Sequence, residues 1–106
     1  MLGRGLAPFG GKPACFSELG YLSPDGFSAP LPANFAWGQN TSVAEQASWL
    51  ADAATRAAQS GRVRLMIVWN VDFTLDTADD PQGGYAMIRP DGSCPACDAL
   101  GTVMRR

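Results

Sequence analysis

Two side chains of different chemistry stand out because each ends a strand-like segment of the chain. Glu18 ends the short segment 13–18, and Trp69 ends the apolar segment 63–69. A carboxylate can act as a nucleophile or as a general acid or base. An indole packs well against the apolar face of a sugar ring. The pair therefore predicts a carbohydrate site, provided that the elements carrying the two residues bring them together.

A helix between the two segments is what would bring them together. Ser42 and Glu45 have the spacing of a capping box at the start of a predicted helix over 42–60, and Gly61 is a suitable left-handed end. Strand–helix–strand order predicts parallel strands, whose carboxyl ends meet at one edge of a sheet. Since neighbouring strands lie roughly 4.8 Å apart, we expect the Glu18 carboxyl and the Trp69 ring within about 10 Å of each other.

The rest of the chain is predicted to be mostly loop. Glycine and proline interrupt residues 1–12 and the long segment 19–41, and residues 71–84 form an acidic loop. Residues 93–103 have a pattern that allows one more short helix. Long loops in a compact domain are usually functional or disordered, and the aromatic residues of 19–41 argue against disorder.

Length and composition exclude several classes of function. A chain of 106 residues is expected to form one domain, and a net charge of −2 without a basic cluster predicts no nucleic-acid partner. No apolar run reaches the roughly 18 residues of a membrane helix, so no membrane partner is predicted. The absence of histidine excludes Ser–His and Cys–His catalysis within the chain. No cofactor is predicted.

No metal site is predicted either. Three cysteines cannot fill a four-thiolate zinc site. The spacing of the acidic loop residues does not fit a twelve-residue calcium loop, so we interpret them as solvated. These residues are Asp72, Asp76, Asp79 and Asp80.

The cysteines leave several interpretations open. Cys94 and Cys97 have the Cys-x-x-Cys spacing at the start of the last predicted helix, where a helix N-terminus favours a reactive thiolate. The pair could instead form a local disulfide or remain as two unreactive thiols. Cys15 lies inside a predicted strand, so we expect it to be a small buried hydrophobe.

Three segments together resemble a known family. Residues 11–21 contain Lys-Pro and then Ser-Glu-Leu-Gly-Tyr, and resemble the seventh strand of clan A glycoside hydrolases, the retaining (β/α)8 enzymes. Residues 63–70 resemble their eighth strand, and residues 83–92 are similar to the segment after it in bacterial cellulase-like and xylosidase-like members. The order and spacing of the segments carry more weight than any one of them.

The resemblance implies an α/β fold made of the last two βα units, strands 7 and 8, of a TIM (β/α)8 barrel. It implies that Glu18 is the nucleophile and that Trp69 is the platform for the attacked sugar. Asn70, Tyr21 and Trp37 are further candidates for contact with the substrate.

One departure from the family limits what the chain can do alone. The family's acid/base glutamate comes from an Asn-Glu pair that this sequence lacks, and its only other glutamate, Glu45, is used by the predicted capping box. Retaining hydrolysis needs two carboxyl groups about 5 Å apart. The expectation is a glycosidase fragment that binds carbohydrate, depends on a missing N-terminal barrel portion, and is inactive and poorly stable alone, with apolar surface on both sides of its sheet.

Two other classes of function remain open at this point. One is a small carbohydrate-binding or oligomerising module that uses aromatic rings without chemistry. The other is a thiol redox protein built on Cys94 and Cys97. The first residues contain no apolar stretch of signal-peptide length, which leaves the export of a parent protein open.

Overall fold

The computed structural model describes residue 4, residues 7–73 and residues 80–105. The regular elements follow in the order β1 (Ala14–Leu19), α1 (Val43–Ser60), β2 (Val63–Val68) and α2 (Pro95–Met104). Short 3₁₀ helices interrupt the loops at Ala7–Phe9, Ala33–Gly38 and Pro81–Tyr85. Of the acidic loop residues, Asp76 and Asp79 lie outside the described residues.

Helix α1 begins and ends where local chemistry predicts. The Glu45 backbone N–H donates to the Ser42 hydroxyl at 3.0 Å, and the Ser42 N–H donates to the Glu45 carboxylate at 2.9 Å, so the predicted capping box is confirmed. Gly61 ends the helix with φ of 67°, a conformation that glycine adopts without a steric penalty. Both ends of the helix that connects the two strands are therefore fixed by local contacts.

The two strands pair in parallel, as their order along the chain predicts. Cys15 is in register with Leu65, and Leu19 is in register with Val68. The register shifts between Phe16 and Leu19, so the ladder is irregular at the residues just before the carboxyl end of β1. Beyond the regular ladder, the Trp69 N–H donates to the Leu19 carbonyl at 2.8 Å. This bond brings the ends of both strands to one edge of the sheet. The peptide bond that follows, between Trp69 and Asn70, is cis.

The core lies between the helices and one face of the sheet. Leu50 and Ala47 of α1 and Ala96 of α2 are buried, and Val68 and Met87 pack against them. Alanine has no long side chain, so the two helices can approach each other closely at these positions. The helices pack against each other more extensively than α1 packs against β2.

The opposite face of the sheet is open. Leu65, Ile67 and Trp69 alternate along β2 and its extension, and each is 43–49% exposed. Val71 and Phe73, in the loop after β2, are similarly exposed. The other face is partly covered, because α1 packs against β2 and Val68 lies against the core, but no residue of either strand is fully buried.

The predicted architecture, the last two strand–helix units of a TIM barrel, is wrong. The sheet has two strands, and the described part of the chain contains no third. In a barrel, helices cover the outer face of each strand and layers of side chains fill the inside. Here the helices bury their contact surfaces largely on each other, which leaves a small α/β unit with one bare sheet face.

Two buried polar side chains fasten the loops that follow the strands. The Gln46 side-chain amide donates to the carbonyl oxygens of Tyr21 at 2.9 Å and Gly84 at 3.1 Å. The Arg89 guanidinium donates to the carbonyls of Gly84 and Ser23, among others. The loop after β1 is thereby tied to the segment that leads to Tyr85.

No α-helix in the described ranges is both long and apolar enough to cross a membrane.

Candidate functional site

Glu18 and Trp69 line the same open cavity at the carboxyl edge of the sheet. The cavity has a volume of about 260 Å³. Its other lining residues come from the loops that follow the strands: Gly20, Phe35, Gln82 and Tyr85. The strand order therefore brings the carboxylate and the indole to one place.

Glu18 is the carboxylate of this site. It lies where the strand ladder is irregular, and its side chain is exposed to solvent. Within residues 7–73 and 80–105, no hydrogen bond or ion pair holds its carboxylate. None of the other described residues that line the cavity carries a charge. The carboxylate is thus available to accept hydrogen bonds from a ligand or to attack an electrophilic carbon.

Trp69 stays at the surface instead of entering the helix layer. Its indole Nε1–H donates to the Gln82 side-chain oxygen at 2.6 Å, and the residue is 43% exposed. The Gln82 backbone N–H in turn donates to Asp80 at 3.0 Å. These bonds orient the ring while leaving part of it open, as a stacking surface for a sugar requires.

Two further aromatic residues complete the wall of the cavity. Burial raises the pKa of the Tyr85 phenol above its ordinary value, and a phenol hydroxyl is a hydrogen-bond donor. Phe35 lies on the other loop, with its ring 6.3 Å from that of Trp37. Aromatic faces beside a carboxylate and an amide can bind both the apolar and the hydroxylated surfaces of a saccharide.

Gly20 determines how closely the chain after β1 approaches the chain after β2. A Cβ atom at this position would lie 2.0 Å from the Trp69 carbonyl oxygen and 3.0 Å from Tyr85 Cδ1. Only glycine permits this approach between the chain after β1 and the chain after β2. The relation between Glu18 and Trp69 therefore depends on the absence of a side chain at position 20.

The other predicted contact residues lie elsewhere. Asn70 is buried, and its side chain is used internally, donating to the Gln82 carbonyl and accepting from the Phe73 N–H. Tyr21 packs edge-on against Trp49, with ring centroids 5.6 Å apart, and contacts the core. Neither these two nor Trp37, which is 67% exposed, is among the lining residues of the cavity. Their roles in substrate binding stay predictions.

Sequence reasoning singled out neither Gln82 nor Tyr85 as a site residue. The short apolar stretch at Tyr85 gave no chemical signal, and Gln82 lies in a loop that looked merely acidic. The structure brings both to the cavity through backbone pairing, since the Asn70 N–H donates to the Tyr85 carbonyl and the Met87 N–H to the Asn70 carbonyl.

The cysteines fall into two groups. Cys94 and Cys97 form a disulfide at the start of α2. Cys15 is a free thiol and is exposed, so the prediction that it is buried is wrong. Its position on β1 points it to the open face of the sheet, where no helix covers it. No cluster of metal-binding side chains occurs among the described residues.

A second, larger cavity of about 500 Å³ lies beside Arg89, Asp25 and Asp91. Burial lowers the pKa of Arg89, and the charges of Asp25 and Asp91 oppose that shift. Two carboxylates against one guanidinium make a poor anion site. The guanidinium is already engaged with backbone carbonyls and lies over the Phe27 ring at 5.1 Å. We therefore interpret the residues around this cavity as structural.

No family model, curated protein or solved structure matches the chain.

Proposed function

We propose that the chain contributes to the hydrolysis of O-glycosidic bonds, with Glu18 as the nucleophile and Trp69 as the platform for the sugar. The observation that carries this proposal is the shared cavity, in which an exposed, unpaired carboxylate lies beside an accessible indole. The proposal concerns the chemistry of the site and does not depend on a barrel architecture.

The proposed step is attack of a Glu18 oxygen on the anomeric carbon. The bond from that carbon to the leaving oxygen breaks, and the aglycone departs with the electron pair. A protonated carboxyl group on the opposite side normally supplies the proton. Among the described residues that line the cavity, Glu18 is the only carboxylate, so none of these residues supplies the proton.

Binding is the part of the proposal that the chain can be tested for alone. The ¹H–¹⁵N resonance of the Trp69 indole reports directly on the cavity, and we expect it to shift on titration with oligosaccharides. Trp69→Ala should abolish saturable binding. Phe9→Ala, which removes an exposed aromatic ring outside the cavity lining, should leave binding unchanged. Equal binding by Trp69→Ala and the unaltered chain would contradict the platform role.

The nucleophile is tested with a leaving group that needs little protonation. A dinitrophenyl glycoside should release at most one equivalent of dinitrophenolate per chain, leaving a glycosyl ester on Glu18 that mass spectrometry can locate. Steady turnover is not expected, because the described lining of the cavity holds no second carboxyl group to activate water. Glu18→Gln should abolish the ester while sparing sugar binding. Asp52→Asn, which neutralises an exposed helix carboxylate outside the cavity lining, should leave both the ester and sugar binding intact.

A second function is favoured by the presence of one carboxylate among the described lining residues. A cavity with one acid and several aromatic residues is sufficient for non-catalytic carbohydrate binding. In that case oligosaccharides bind through Trp69, but the dinitrophenyl glycoside leaves no ester on Glu18. The two experiments together therefore separate catalysis from simple recognition.

A further inference from the structure

The Cys94–Cys97 disulfide occupies the N-terminus of α2. The two Cα atoms are 5.2 Å apart, and Cys94 is the N-cap residue. Pro95 follows at the first helical position, where its fixed φ suits the start of a helix. The disulfide therefore links the residue before the helix to a residue of its first turn.

The two sulfur atoms have different surroundings. Cys97 is exposed and Cys94 is half-buried. The Cys97 backbone N–H donates to Cys94 Sγ at 3.2 Å. This bond, together with the partial positive charge at the start of a ten-residue helix, favours a negative charge on the Cys94 sulfur. A thiol that attacks the accessible Cys97 would thus release Cys94 as a stabilised thiolate.

The disulfide contributes little to holding α2 in place. Ala96, between the two cysteines, is 1% exposed and packs with Ala47 and Leu50 in the core. Closing so short a loop restricts the unfolded chain less than closing a long one. Because docking of the helix depends on Ala96, the disulfide can open without removing a core contact. Reversible chemistry at this position is compatible with the folded state.

We propose that Cys94 and Cys97 form a dithiol–disulfide exchange site, independent of the carbohydrate site, that reacts with external thiols. A thiolate attacks Cys97 Sγ, the Cys94–Cys97 bond breaks, and Cys94 leaves with the electron pair as a thiolate. A second thiolate then attacks the external sulfur of the mixed disulfide and releases Cys97. Two external thiols are oxidised to one disulfide, and their two protons pass to the cysteines.

The site is tested in the full chain with Cys15→Ser, which removes the remaining thiol. The protein is equilibrated in buffers with different ratios of reduced to oxidised glutathione, quenched with acid, alkylated and weighed by mass spectrometry. We expect half of the protein to be oxidised at the same glutathione ratio whether the titration starts from the oxidised or from the reduced protein. The circular dichroism spectrum should stay unchanged. A disulfide that resists every ratio until urea is added, or a helix signal lost on reduction, would overturn the proposal.

The direction of exchange is tested with single-thiol variants in the same background. In Cys97→Ser the Cys94 thiol should react with iodoacetamide several times faster at pH 7 than the Cys97 thiol does in Cys94→Ser. The serine at position 94 retains an oxygen that can cap the helix. Equal rates, or faster reaction of Cys97, would refute the assignment of Cys94 as the leaving group.

The same variants distinguish the kind of reductant. Cys94→Ser treated with oxidised glutathione should accumulate a stable mixed disulfide on Cys97, because no neighbouring thiol resolves it. The two reagents are compared by rate, because the extent of reduction at a matched potential is the same for both. If the natural reductant is a monothiol, glutathione should reduce the Cys15→Ser chain, which keeps Cys94 and Cys97, at least as fast as dithiothreitol at equal thiolate concentration. Preference for dithiothreitol indicates a dithiol partner, and resistance to both reagents would overturn the proposal.

Discussion

Replacing Gly20 with alanine should damage both the stability of the chain and its candidate site. The added Cβ would lie 2.0 Å from the Trp69 carbonyl oxygen, so the backbone must move by about 1 Å to reach even the 3.0 Å limit of real contacts. The obstructing atom belongs to backbone that is itself hydrogen-bonded, because the Met87 and Asn70 main chains pair immediately beyond it. It cannot turn aside as the end of a flexible side chain could.

The size of the effect follows from the cost of overpacking. Inserting a methyl group into a packed region typically costs ~1–3 kcal/mol, and a clash with constrained backbone belongs at the upper end. For a domain of this size each kcal/mol lowers the melting temperature by roughly 4–8 °C. We therefore expect Gly20→Ala to melt about 12–24 °C below the unaltered chain, as followed by circular dichroism at 222 nm, the usual wavelength of the helix signal.

A matched glycine supplies the control. A Cβ at Gly11 meets no atom within 4 Å, and the backbone there does not require positive φ. Gly11→Ala should therefore change stability by less than about 1 kcal/mol. If Gly20→Ala melts within about 2 °C of Gly11→Ala, the close approach between the two strand ends is not a feature of the folded chain. The geometry of the candidate cavity would then lose its basis.

The other predictions concern the core, the open sheet face and acid stability. Leu50→Ala, at a fully buried position, should cost about 2–5 kcal/mol in urea unfolding, whereas Leu65→Ala on the open face should cost less than about 1 kcal/mol; equal losses would contradict the one-sided core. Anilinonaphthalene sulfonate should bind the folded chain, and Ile67→Ser should reduce its fluorescence; an unchanged signal would place the dye elsewhere. Hydrogen bonds from the Ser93 hydroxyl and backbone N–H hold the pKa of Asp91 below its usual value. Its stabilising contribution is therefore complete above the ordinary aspartate pKa of about 3.9 and is lost as the pH falls through the lower folded value. Asp91→Asn should weaken the dependence of the melting temperature on pH in this acidic range. The same dependence in the variant and the unaltered chain would refute a contribution of Asp91 to acid stability.

The sequence was most informative where neighbouring residues determine structure. The Ser42–Glu45 capping box and the Gly61 stop depend on contacts within one turn of helix, so they could be read directly. Parallel pairing followed from the order of strands and helix, because that order leaves few topologies open. Both inferences required no knowledge of distant parts of the chain.

The arrangement of layers could not be read in the same way. An alanine-rich helix face suits packing against a sheet or against another helix, and the sequence does not distinguish between the two. The structure selects the helix pair through Ala47 and Ala96. That choice leaves Cys15 and Leu65 on an open face, although the apolar run at 65–69 is typical of a strand covered on both sides.

The cavity shows the same division between local and distant information. Glu18 and Trp69 were found because each lies at the end of a predicted strand, and functional residues of parallel sheets lie at the carboxyl ends of the strands. Gln82 and Tyr85 reach the cavity through backbone pairing with Asn70, and Gln46 and Arg89 fasten the same loop through buried bonds to Gly84. Those bonds join residues up to 38 positions apart. No periodicity or motif in the sequence identifies them.

Trp69 lies on the open sheet face and also lines the cavity. A variant at this position therefore tests the site less directly than a variant at Glu18. Its truncation removes apolar area that a dye or any nonpolar molecule could occupy, so lost binding in Trp69→Ala has two explanations. Glu18→Gln changes charge and leaves the apolar area intact. An effect of that substitution on a neutral sugar must come from hydrogen bonding or from reaction at the carboxylate. Catalysis at this site therefore depends on Glu18, and only the covalent test distinguishes a nucleophile from a hydrogen-bond acceptor.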